Sequence, residues 1–196
     1  MIHEQIRVIG ADEIEKKLDG LKKKAPVILS RAINRASEKA RTEAKREVSE
    51  KYFISQKNVL KTIRLKKASK AVLSAEMISR GSPIALSKFR VSPRRQVSRT
   101  KRGKASPSVY KAGVERAGGL KPLDGNPKAF FTSVGSGHEG VMERVSSRRL
   151  PLKELHGPAV PSMIKNEEII GRIQKEASET LEKRIDAEIN NILQGG

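Results

Sequence analysis

Apolar residues recur along two long stretches of this chain at alternating three- and four-residue steps, and between them the spacing shortens to two. The first stretch carries Ile14, Leu18, Leu21, Ala25, Ile28, Ala32, Ala36, Ala40, Ala44 and Val48 on one side, the stripe of an amphipathic helix. Asp12, followed three residues on by Glu15, is a capping-box-like start for it. Pro26 has no N–H to donate, so it either kinks the rod or opens a second helix at its first turn. From Ala32 to Ala44 the stripe is mostly alanine, which lets another backbone come close, while Arg31, Arg35, Lys39, Arg41, Lys45 and Arg46 occupy the opposite side. From about Ser162 to Leu193 a second stripe repeats the pattern with Ile170, Ile173, Ala177, Leu181, Ile185, Ile189 and Ile192.

Between the stripes, Ser55 is placed to cap a short helix reaching about Lys61. Thr62–Lys67 then alternates Ile63 and Leu65 with charge, and Ala71–Ser79 alternates less regularly through Val72, Ser74, Glu76 and Ile78. Gly81-Ser82-Pro83 is a turn, after which Ile84, Leu86 and Phe89 lead into Val91. Ser108–Val114, Ala129–Val134 and Gly140–Val145 read as further strands. Leu150-Pro151 and Gly157-Pro158 punctuate a loop whose path two prolines and a glycine fix, with Leu150, Leu152 and Leu155 available to anchor it.

The predicted architecture is α+β: a long N-terminal helix kinked near Pro26, an antiparallel β-sheet with a basic inserted arm, and a long C-terminal helix packed with the first. Residues 161–196 carry Glu167, Glu168, Glu176, Glu179, Glu182, Asp186 and Glu188. The two helices are therefore expected to meet along the alanine-lined seam, apolar burial supplying the energy and charge the orientation. The length fits a single domain, 1–196.

Charge changes this picture in one place. The chain has a formal net charge of +19, and residues 81–116 hold ten basic residues against one acidic residue, Glu115, so nearly half the excess sits there. Arg90, Arg94, Arg95, Arg99, Lys101, Arg102 and Lys104 fall within about fifteen residues that contain no carboxylate and almost nothing apolar. Such a stretch buries too little surface to offset its ordering entropy. Residues 94–108 are accordingly read as a mobile basic arm between two strands, facing DNA or an acidic protein surface.

Composition removes several classes of chemistry. No cysteine is present, which excludes thiol catalysis, disulfides and thiolate-held metal. Three scattered histidines make a poor metal set, and with four Phe, two Tyr and no Trp the core is a thin one. No apolar run approaches the roughly 18 residues of a membrane span, and Met1–Gly10 is too polar for a signal peptide. The expectation is a soluble, strongly basic protein made in the cytoplasm.

Gly135-Ser-Gly-His-Glu-Gly140 fits G-x-G-x-x-G, yet Val141–Val145 after it is too short and β-branched for the helix that a dinucleotide phosphate needs, so a hairpin turn is the better reading. Gly103-Lys104-Ala105-Ser106 lacks the upstream glycine of a phosphate-binding loop. His138 and His156 read as turn and packing residues, and Asp124, Glu139, Glu143 and Glu154 share no spacing suited to acid–base work. No catalytic, cofactor or metal site is expected. Tyr52-Phe53 and Phe130-Phe131 look like core residues, not a base-stacking platform, so charge alone supports only sequence-independent phosphate contact.

Several segments together resemble one family: Arg31-Ala-Ile-Asn-Arg-Ala36, Ala40-Arg-Thr-Glu-Ala44, Val48 through Tyr52 to Ile54, Arg80-Gly-Ser-Pro-Ile-Ala-Leu86 with Phe89, Ala129-Phe130, Ser136-Gly-His-Glu-Gly-Val141, and above all Arg149-Leu-Pro-Leu-Lys-Glu-Leu-His-Gly-Pro158. Over roughly residues 25–190 the chain resembles the minor tail protein Z family of bacteriophages and prophages, grouped with the tail-completion or neck proteins of long-tailed phages. It departs from the family's pattern in the basicity of the Arg94–Lys111 stretch and in His156, where a tyrosine is expected. The resemblance implies a structural virion protein, assembled in the host cytoplasm without catalytic residues or cofactors. Such a subunit joins a ring, six-fold by analogy, around the DNA path between tail tube and head-completion proteins. Arg149, Leu150, Pro151, Leu155, Gly157 and Pro158 are expected at the assembly interface. The alternative is a basic protein binding nucleic acid without sequence preference.

Overall fold

The first long stripe folds as helix α1, Ala25–Lys51. The structure, a computed structural model, describes residues 2–9, 24–97, 109–134 and 137–193; Asp12, Ile14, Glu15, Leu18 and Leu21 lie outside them. Pro26 stands in the first turn of α1, where a missing N–H costs nothing, and the Lys24 carbonyl accepts from both Val27 N and Ile28 N (3.1 and 3.2 Å). Ala32, Ala36, Ala40, Ala44 and Val48 are buried, as the spacing requires.

Two compact units divide the described residues. The first takes α1 as far as Val48 together with strand β1 (Ile2–Ile9), helix α2 (Gln56–Leu60), strands β2 (Ile63–Lys66) and β3 (Ser74–Gly81), and helices α3 (Val160–Ile164) and α4 (Glu167–Leu193). Strands β1, β3 and β2 form an antiparallel sheet with β3 in the centre, Ile2 opposite Gly81 and Ile63 opposite Ser79. Strand β1 goes beyond the elements expected from sequence. The second stripe is interrupted at Lys165-Asn166, because the Asn166 carbonyl accepts from Ile170 N (2.9 Å) and opens a fresh helix with Glu167 and Glu168 in its first turn.

Helices α1 and α4 pack together and run antiparallel. Arg31 Nη1 meets Glu188 Oε2 (3.4 Å), Lys39 Nζ meets Glu176 Oε2 (3.1 Å), and Glu47 Oε2 meets Arg172 Nη1 (3.1 Å), so positions ascend on one helix as they descend on the other. Beneath these pairs, Ile28, Leu29, Ala32, Ile33 and Ala36 form one cluster with Leu181 and Ile185, joined by Ala68 and Ala75. The alanines let the two backbones approach, and the expected seam is the core of this unit. Asn34 ties the β2–β3 connection to α1: its Oδ1 accepts from Ala68 N (2.7 Å) and its Nδ2 donates to Ala68 O (3.0 Å).

The second unit comprises Ser49–Ser55 and Ser82–Ala159. Its strands are short and all antiparallel: β5 (Arg90–Ser92), β6 (Lys111–Gly113) and β7 (Lys121–Pro122) in one sheet, β8 (Phe130–Ser133), β9 (Glu139–Arg144) and β10 (Leu152–Glu154) in another, and β4 (Ile84–Ala85) with β11 (His156–Gly157). One continuous sheet is thus replaced by several small ladders around a core that includes Leu86, Phe89, Val91, Phe131, Val141 and Met142.

Candidate interaction surface

The basic arm springs from a hairpin. Arg90 pairs with Gly113, Val91 with Ala112 and Ser92 with Lys111, so the residues on either side of the arm are neighbours in one ladder. Tyr110 clasps the arm's first residues: its hydroxyl accepts from Val97 N (3.0 Å) and donates to Arg95 O (3.2 Å). Its own carbonyl accepts from Leu123 N (2.7 Å). Arg90, Arg94 and Arg95 are exposed, whereas Arg99, Lys101, Arg102 and Lys104 lie outside the described residues.

Beside the hairpin base, Phe53, Ile54, Ser55, Phe89 and the cations of Lys88, Arg90, Arg94 and Arg116 line an open hollow of about 400 Å³. Phe53 sits under two guanidinium groups, Arg90 at 5.2 Å and Arg116 at 4.9 Å from the ring centre. Arg116 Nε also donates to Ser49 O (3.0 Å), and Arg116 N to Lys51 O (2.9 Å), which fixes the residue at two points. Phe53 itself is placed by its N–H on Val114 O (2.8 Å), next to the Tyr52–Glu115 bridge. Burial, with Glu115 adding to it, pushes the Tyr52 phenol above its ordinary range.

The aromatic pairs correct the sequence reading. Tyr52 and Phe131 are buried, but Phe53 and Phe130 are only half-buried. Phe130 also lies under a guanidinium, that of Arg144 at 5.4 Å. Each pair gives one ring to the core and keeps one for an arginine. Sequence reasoning missed Phe53, Lys88, Tyr110 and Arg116 as surface-forming residues; the one local signal was the aromatic doublet at 52–53.

Residues 149–158 run through β10 and β11. Leu155 stitches the unit, its N–H on Val141 O and its carbonyl accepting from Leu86 N (both 2.8 Å). Gly157 faces the buried ring of Phe89, where an added Cβ would stand 2.7 Å from a ring carbon. Leu155 and Gly157 thus serve internal packing, and Pro158 is half-buried. Arg149, Leu150 and Pro151 are exposed, Leu150 at 65%. The turn carrying Leu150 is braced by Arg144 Nη1 on Arg149 O (2.6 Å).

Gly137, at φ 77°, takes the left-handed backbone of the β8–β9 turn, and β9 follows it as a strand, so the glycine run is a hairpin. His138 Nε2 lies 3.0 Å from Glu154 Oε1, a contact from the β8–β9 turn to β10. His156 Nδ1 lies 3.0 Å from Glu154 O. Among the described residues no cluster of three or more His, Cys, Asp or Glu is arranged to hold a metal ion, and no helix is long and apolar enough to cross a membrane.

The described residues thus comprise one unit of helices with a three-stranded sheet and a second of short β-ladders that carries the basic hairpin. The family model for prophage minor tail protein Z matches residues 8–194, and the chain belongs to that family. It is a structural component of a phage tail, and so of the virion. No curated protein and no solved structure matches the chain.

Proposed function

We propose that the chain is a tail-completion or neck subunit that assembles head to tail into a closed ring, six-fold by analogy, around the DNA path. In this reading residues 1–196 act as one building block that joins the tail tube to head-completion proteins without catalysis. The observation that carries it is the uneven distribution of charge. The β5–β6 hairpin and its arm are almost purely basic, while the exposed side of α4 offers acidic residues such as Glu167 and Glu182. Head-to-tail contacts join unlike surfaces, and closure of the ring leaves none unsatisfied. The basic arm faces an acidic surface on an adjoining tail or head-completion protein, because docking must be specific and DNA presents only uniform phosphate.

Electron microscopy and mass measurement of the purified full chain, without DNA, test the reading. Closed rings of one size are expected. A monomer that oligomerises only along added duplex DNA would instead favour a protein that binds nucleic acid without sequence preference.

A further inference from the structure

We propose that the hollow around Phe53 is a docking site for an acidic peptide segment of a protein partner, one that carries an apolar side chain beside its carboxylates. The proposal rests on the reading of the basic hairpin as a protein-docking element, and it gives that element a defined receptor. Lys88, Arg90, Arg94 and Arg116 border the hollow, no carboxylate lines it, and none of the four makes an ion pair among the described residues. Some cations elsewhere in the molecule are matched, as Lys39, Arg46, Lys67 and Arg172 are by glutamates at 2.6–3.1 Å. Four unmatched cations gathered at one hollow repel one another and favour an anion between them.

Two of these cations are also held in place. Arg90 and Arg116 stack on the same ring, and the bond from Arg116 Nε to Ser49 O leaves the terminal nitrogens for another acceptor. A guanidinium fixed in this way binds a carboxylate at two points and loses little freedom on doing so. The shape favours peptide over duplex. Phe53, Ile54 and Phe89 give the hollow an apolar component that a convex sugar–phosphate backbone would leave uncovered. A peptide with an apolar residue among carboxylates matches both parts.

The test uses the full chain and three probes: a capped peptide of glutamates around one leucine, the same peptide with glutamine for glutamate, and a short duplex DNA. Fluorescence anisotropy is expected to show the glutamate peptide bound at least about tenfold more tightly than the glutamine peptide. Lys88→Gln/Arg116→Gln should weaken glutamate-peptide binding about tenfold while lowering DNA affinity much less, and Arg116→Lys should weaken it in part by removing the fork. Arg99→Ser/Arg102→Ser, two changes further along the arm, should leave peptide affinity within about twofold. Lys88→Gln and Arg90→Gln singly, both at exposed positions, repeat the test should the Arg116 variants melt early. Unchanged peptide affinity in the hollow variants, or an equal loss for DNA, would overturn the proposal. If the hollow variants lose the peptide while the purified chain forms no rings, the docking site stands and the neck reading fails.

Discussion

Single side chains decide more here than their conservative chemistry advertises. Asn34 uses both ends of its amide on the backbone of Ala68, as a strand partner would, and so attaches the β2–β3 connection to α1. Asn34→Ala leaves two half-buried backbone groups unpaired and should cost about 1–3 kcal/mol in a denaturant melt. Asn34→Asp keeps the acceptor but sets a carboxylate oxygen against Ala68 O, so it should be no better than alanine. A loss within experimental error in both variants would show that water replaces the amide. Leu150 poses the opposite case, since it is exposed and has no packing to lose. Leu150→Asp should leave the melting temperature of the isolated chain nearly unchanged, within about 0.5 kcal/mol, and yet impair ring assembly. Normal assembly and infectivity in that variant would remove Leu150 from any interface.

At the scale of elements, α1 and α4 are held by a buried apolar seam and oriented by charge at its edge. Lys39 links the two helices: its hydrogen bonds to Glu43 and Glu176 raise its own pKa, and in return it holds the Glu176 carboxyl below the usual range. Lys67 lowers Glu38 in the same way. The carboxylates contribute stability that is present above their unfolded pKa values and lost as pH falls through the folded ones, which lie lower. The lysine contributes below its unfolded value and loses that contribution as pH rises through the folded one. Melting temperature should therefore be flat from about pH 5 to 10, and Lys39→Met should flatten the acid limb that Glu176 helps to create. An acid limb identical in both proteins would assign the loss to other carboxylates. These helices were legible because a 3.6-residue period repeated over seven turns leaves little ambiguity. Strand β1 was not, although Ile2, Ile6 and Val8 alternate, because an end strand shows its meaning only through the partner it finds in β3. On β3 the buried side proved to be Ala75, Met77 and Ser79, a small-residue face that hydrophobicity alone understates. Strands β10 and β11, of three and two residues, are too short for any period and exist through pairing. The hollow was invisible for a related reason: residues 53, 88–94 and 116 meet only once the ladders form.

For the whole molecule, in the ring proposed above, the decisive quantity is charge multiplied by copy number. A ring repeats the arm in every subunit, so uncompensated arginines would oppose closure unless something negative faces them. Replacing Arg94, Arg95, Arg99 and Arg102 together by serine tests what that is. Failure of heads and tails to join would assign the arm to a protein partner, whereas joined particles that lose DNA retention or delivery would assign it to DNA. Normal particles with normal infectivity would leave the arm without either role. The clasp at Tyr110 bears on how this chain can change over time. Because Val97 and Tyr110 are bonded to each other and the flanking strands are paired, the segment between them begins and ends at one point of the fold. Lengthening such a segment adds little closure entropy, about 0.6 kcal/mol for a doubling. On the docking reading proposed above, the arm is an exchangeable cassette: its sequence can be rewritten, and the partner it meets replaced, while the scaffold that carries it stays the same.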